Sequence, residues 1–166
     1  MRRALIALAL LAGCGSKKDA TPVGISGIAA PVAQFSYDSL DERAVSSDAM
    51  RGKVAVLAFV TTYDLASQAV VNFVMEAAKH EPDVKFAMVA LEDRASRELV
   101  EGYRDGLRVA FPVAMTDVGH TGFGEVHVPT VIVLDAAGKI AFRKEGIVKG
   151  DELHRAIDSA SAATKK

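Results

Sequence analysis

The chain has 166 residues, 50% of them apolar, with 20 Lys+Arg against 21 Asp+Glu and a formal net charge of −1. That length suits one domain with a sizeable core, and the basic residues are dispersed along the chain, adjacent only in the pairs Arg2-Arg3, Lys17-Lys18, Arg143-Lys144 and Lys165-Lys166. Nucleic-acid binders concentrate positive charge on one face or stripe, so no nucleic-acid partner is expected. The only cysteine is Cys14, so nothing within the chain can form a stabilising disulfide. The chain opens with Arg2-Arg3, an apolar run from Ala4 to Leu11, and then Leu11-Ala12-Gly13-Cys14. These are the charged, apolar and small-residue regions of a secretory signal, and the run is too short to span a bilayer, which takes about 20 residues.

Leu11-Ala12-Gly13-Cys14 resembles the lipobox of bacterial lipoproteins. The resemblance implies removal of residues 1–13 and acylation of Cys14, which makes the mature chain anchored to membrane lipid rather than spanning it. An ordinary cleaved signal with an incidental cysteine is the alternative. Gly15 after the cysteine, with no aspartate there, leans such a lipoprotein toward the outer membrane. The expected location is the cell envelope, lipid-anchored and facing the periplasm. Residues 14–30 are small, polar and without apolar periodicity, a flexible tether. Residues 31–166 are read as the folded domain.

Within that domain, Gln34-Phe35-Ser36-Tyr37 and Arg43-Ala44-Val45-Ser46 flank an Asp41-Glu42 turn and form a candidate N-terminal hairpin. Val54 to Val60 is a continuous valine-rich apolar run, the pattern of a strand buried on both faces. Leu65, Ala69, Val70, Phe73, Val74 and Ala77 follow at helical spacing, and Pro82 ends that helix near Glu81. Val84 to Leu91 reads as a second buried strand, and Arg94 to Arg104 as a more polar helix ending at Gly106. Val131 to Leu134 and Ile140 to Arg143 flank the turn signal Asp135-Ala136-Ala137-Gly138. A last helix from about Asp151 to Ala160 turns Leu153, Ala156 and Ile157 inward, with Asp151 favouring its start. Strand, helix, strand, helix, hairpin, helix predicts an α/β sandwich on a central mixed sheet.

Ala30-Pro31 with Phe35, Arg51-Gly52-Lys53-Val54, the Asp64 to His80 helix and the stretch from Val128-Pro129-Thr130 to Gly138-Lys139-Ile140 resemble the redoxin and TlpA-like branch of the thioredoxin-like proteins, near the alkyl hydroperoxide reductase and thiol-specific antioxidant family. The resemblance covers Ala30 to Ala160. It implies a three-layer thioredoxin-like sandwich with flanking helices, and an active-site loop of the form Phe-Trp-Ala-Thr-Trp-Cys-Gly-Pro-Cys. The matching stretch here runs from Phe59 to Ser67, with Asp64 and Ser67 standing where the two cysteines would be. Thiol exchange needs a thiolate and a second, resolving sulfur, and peroxide reduction passes through a sulfenic acid. Neither chemistry is open to a carboxylate and a hydroxyl, so no catalytic residue is assigned.

Asp64 reads either as a helix N-cap or as a retained functional carboxylate. Tyr63 matches the family aromatic beside the nucleophile. Pro129 matches a family proline whose cis peptide bond lies against the active-site loop, which turns Val128 backbone groups outward where a peptide can add as a strand. Tyr63, Asp64, Val128 and Pro129 are thus the candidate binding residues for an envelope protein or peptide. His120 and His127 flank a glycine-containing loop, and with Asp64 they make an alternative metal-dependent enzyme or carrier. His80 and His154 read as surface or helix-dipole residues, and Asp38, Asp41, Glu42 and Asp48 lack calcium-loop spacing. No cofactor and no metal are expected. The sequence therefore points to a non-catalytic binding or accessory module, against a redoxin-type oxidoreductase by family alone.

Overall fold

A computed structural model of the chain describes residues 32–164. The expected signal 1–13, the expected acylation position Cys14, the expected tether to residue 30 and Pro31 lie outside the described residues, as do Lys165 and Lys166. The elements in order are β1 (Asp38–Ser39), α1 (Ser47–Met50), β2 (Ala55–Val60), α2 (Leu65–His80), β3 (Lys85–Leu91), α3 (Arg97–Leu107), β4 (Val113–Thr116), β5 (Thr130–Leu134), β6 (Ile140–Glu145) and α4 (Gly150–Thr164). Short 3-10 turns occupy Arg94–Ser96 and Val118–His120. One six-stranded sheet runs β1-β4-β3-β2-β5-β6. Strands β2, β3 and β4 are mutually parallel, and β1, β5 and β6 are antiparallel to their neighbours. It is a mixed sheet in a thioredoxin-like arrangement.

Every residue of β2 is buried, as its continuous apolar run requires of a central strand. Alternation splits the strand between two cores. Val56, Ala58 and Val60 pack with Val70, Val71 and Val74 of α2, Val100 of α3, and Leu153 and Ile157 of α4. Ala55, Leu57 and Phe59 face Phe35, Tyr37, Val45, Met50, Phe123 and Val126. Complete burial of each large side chain is worth about 1.5–3 kcal/mol, so the doubly covered strand is the anchor of the fold. The second layer is built differently from a layer of long helices: residues 33–50, with only the one-turn α1, and the 121–126 loop cover it. Stacking of Phe35 on Tyr37, and the edge contacts of Phe59 with Tyr37 and Phe123, replace helix packing there.

The N-terminal hairpin is reduced to one antiparallel bridge, Ser36 to Ser46, with Tyr37 N–H donating to Val45 O and Ser47 N–H to Phe35 O. Asp38–Ser39 instead leaves to pair with Met115 and Ala114 of β4. Helix α3 passes through Gly106 to Leu107, and Arg108 takes the left-handed conformation that closes it (φ 56°). Helix α2 ends as its sequence predicts, with Glu81 before Pro82 out of helical geometry. Its apolar spacing misleads at Leu65 and Phe73, both of which face outward. Among the described residues no helix is long and apolar enough to cross a membrane.

Candidate functional site

The site lies at the end of the sheet where the parallel strands finish. Buried β2 delivers the chain to Thr61 and Thr62, the loop turns at Tyr63, and α2 begins at Leu65. Asp64 is the N-cap: its carboxylate accepts from Ala66 N–H at 3.2 Å and from Ser67 N–H at 2.8 Å. These are donors that the first helical turn leaves open. Ser67 Oγ donates to Asp64 Oδ2 at 2.9 Å and accepts from Thr61 N–H at 3.2 Å. The Ser67 hydroxyl, and next to it the Asp64 carboxyl, hold each other in a closed hydrogen-bonded unit, and that hydroxyl's donation keeps the Asp64 carboxyl below the usual carboxylate range. Ser67 is fully buried.

Beside this unit, Thr62 N–H donates to Glu92 Oε1 at 2.6 Å, tying the loop to the residue that follows β3. Neither Glu92 nor Tyr103 of α3 stands out in the sequence, since each is one polar residue after an apolar strand or inside a polar helix. The Tyr103 hydroxyl is buried without a hydrogen-bond partner, and so are those of Thr61 and Thr62. Burial raises the Tyr103 pKa, and the charges of Asp64 and Glu92 raise it further.

Register carries Pro129 to the same place. Thr130 pairs with Phe59, so Val128 and Pro129 flank the stretch that follows β2. The Val128-Pro129 bond is cis. Gly146 N–H donates to Pro129 O at 2.7 Å, whereas the Val128 peptide groups have no hydrogen-bond partner among the described residues. The surround is apolar and open: Tyr63 is 80% and Leu65 81% exposed. Leu99 in the first turn of α3, Val118 just past β4 and Ile147 just past β6 are exposed at the same end. Val118 and Ile147 come two residues after a strand end and Leu99 lies inside a polar helix, so none of the three belongs to an apolar period that marks it in the sequence.

The alternative metal grouping of Asp64, His120 and His127 is not assembled. His127 lies between Glu125 and Glu145, 3.3 and 3.4 Å from their carboxylates, while His120 sits 3.9 Å from Asp117 on the turn after β4. Strand β3 separates β4 from β2, and the Asp64 oxygens are committed to the helix cap. Among the described residues no three His, Asp or Glu side chains are arranged to hold a metal ion.

No protein-family model and no curated protein matches the sequence. Among solved structures, MTB dsbF, described in mixed oxidized and reduced forms, is similar at 25% identity and TM-score 0.70, over 80% of this chain and 100% of that one. A thiol:disulfide interchange protein of the thioredoxin family from Chlorobium tepidum TLS is similar at 20% identity and TM-score 0.68, over 81% and 97%. A secreted disulfide oxidoreductase from Mycobacterium tuberculosis is similar at 18% identity and TM-score 0.65, over 76% and 96%. With the sheet order, the helix placement and the proline before β5, these likenesses make the domain a member of the thioredoxin-like superfamily, one that has no cysteine in residues 32–164.

Proposed function

We propose that this protein is a cell-envelope lipoprotein whose thioredoxin-like domain binds a polypeptide without performing thiol chemistry. One observation carries the reading: at the start of α2, Asp64 and Ser67, the positions the sequence resemblance matches to the family's dithiol, form a closed hydrogen-bonded unit, while Tyr63 and Leu65 around it stay exposed. A dithiol enzyme needs a thiolate at the helix start and a second sulfur within reach, and the domain has neither. A binding module needs an apolar rim and free backbone groups, and Tyr63, Leu65 and the Val128 peptide groups supply both. An extended segment pairs with Val128 as an added strand and lays side chains on the rim. Acylated Cys14 attaches the domain to membrane lipid, facing the periplasm, with the outer membrane favoured over the inner. The secreted Mycobacterium tuberculosis relative supports an exported location.

The test pairs two assays on the full chain. It should catalyse no reduction of a protein disulfide by a small thiol. It should also enrich binders from an unbiased displayed-peptide library, and Tyr63→Ser with Leu65→Ser should weaken the best binder at least tenfold, the loss of about 1.4 kcal/mol. Catalysis by the parent, or binders indifferent to both substitutions, overturns the reading.

A further inference from the structure

Two histidines that the sequence leaves apart meet in the fold. His80 is the last residue of α2, and His154 lies in α4; their ring centres are 6.5 Å apart. Each ring already holds a carboxylate on one nitrogen. His80 Nε2 is 3.1 Å from Glu76 Oε1, and His154 Nδ1 is 3.2 Å from Glu81 Oε1. Lys79 Nζ occupies the other Glu76 oxygen at 2.7 Å.

A carboxylate on one ring nitrogen fixes the proton there and leaves the other nitrogen as a lone pair. Metal-ligating histidines commonly have this outer-shell arrangement, their other ring N–H held by a carboxylate, a backbone carbonyl or water. Here it occurs twice, on two helices, with the ring centres 6.5 Å apart. Bonds of about 2.0–2.1 Å to one ion in tetrahedral geometry place two imidazole centres about 5 Å apart. Both side chains sit at the surface, 62% and 37% exposed, so side-chain rotation has room to close the ring centres by the roughly 1.5 Å that shared coordination needs. Imidazole nitrogen suits zinc, copper and nickel, whereas calcium and magnesium take oxygen ligands. We propose that His80 and His154 bind one divalent transition cation, a two-imidazole site completed by water that clamps α2 to α4. The site is remote from the Asp64 end and independent of the proposed peptide binding.

The test is calorimetric titration of the full chain, purified without an affinity tag and stripped by chelator, with zinc chloride and separately with calcium chloride. The parent takes up one zinc and no calcium. His80→Ala and His154→Ala each weaken zinc binding at least tenfold, Glu81→Gln weakens it by about tenfold or more, and His120→Ala with His127→Ala leaves it unchanged. Cys14 is common to all variants and does not enter the differences. Zinc also raises the melting temperature of the parent but not that of the His80→Ala/His154→Ala variant, because only the former binds it in the folded state. No zinc uptake by the parent, or uptake that survives in the double histidine variant, overturns the site. Calcium uptake equal to zinc overturns the cation class.

Discussion

Replacing Asp64 and Ser67 together by cysteine tests whether chemistry was lost at these two positions alone. In the parent the two side chains already touch, Ser67 Oγ to Asp64 Oδ2 at 2.9 Å, from the cap and the third helical position. A disulfide needs Cβ atoms about 3.5–4.5 Å apart, which side chains in that contact can meet. The reduced variant loses the carboxylate cap and the buried acceptor of Thr61 N–H; the latter costs about 1–3 kcal/mol. Closing a ring of four residues then restores about 2 kcal/mol through the unfolded chain. The oxidised variant should therefore approach parent stability while the reduced one falls clearly below it. Backbone N–H groups of positions 66 and 67, freed from the carboxylate, stabilise a thiolate at position 64. Intact mass after alkylation should find the intramolecular disulfide, and a small-thiol assay on a protein disulfide should register slow exchange where the parent gives none. A variant that folds but cannot close its disulfide refutes the matching of Asp64 and Ser67 to the family's cysteines.

Ser67→Ala, which removes the side-chain acceptor of the buried Thr61 N–H, should cost about 1–3 kcal/mol in urea denaturation with little change in the slope. Asp64 has a depressed folded pKa, so its contribution is complete above the unfolded carboxylate value of about 3.9 and disappears as pH falls through the lower folded value. The stability gap between the parent and Asp64→Ala should accordingly be constant from pH 7 to about pH 5 and narrow only in stronger acid; a gap that closes between pH 6 and 7 would contradict the assignment. Cys14→Ala should abolish incorporation of labelled fatty acid and release the protein from the membrane fraction, and unchanged labelling would remove the lipid anchor.

The sheet's centre was legible because burial on both faces leaves an unbroken apolar run, as in Val54 to Val60, and because Asp64, Pro82 and Asp135-Ala136-Ala137-Gly138 are local signals with local causes. Asp135 accepts from Ala137 and Lys139 N–H while Gly138 takes a positive φ, all within one turn. Elements fixed by distant partners were not legible. Asp38–Ser39 becomes a strand only because β4 lies beside it, and Val113–Thr116 is too short to carry a period of its own. Leu65 keeps helical spacing yet lies at the open rim of α2, where no neighbouring layer reaches it. At the site, Asp64 as a cap followed from its position before an apolar helix. The pairing of Glu92 with Thr62, and of His80 with His154, depends on where β3 and α4 pass, which residue spacing does not encode.

The loop after β2 is informative for what it satisfies. A catalytic thiolate at a helix start must leave the first N–H groups aimed at a reactive atom that stays accessible. Here Asp64 consumes those groups, and Ser67 buries the remaining polar contact with Thr61, so the helix start is hydrogen-bonded rather than poised. Stability at an active-site position is commonly gained when the demand for reactivity is lifted, and the Asp64–Ser67 unit fits that exchange. Tyr63 and Leu65 do not, because relaxed selection for chemistry gives no reason to keep two large apolar side chains about four-fifths exposed beside a satisfied cap. Exposed apolar residues that cluster mark interaction sites more than scattered ones do, and Tyr63 and Leu65 lie within two residues of each other at the rim. The proposed peptide partner would lie over Tyr63 and Leu65 while the Asp64–Ser67 cap stays closed, so the proposed binding requires both features at once.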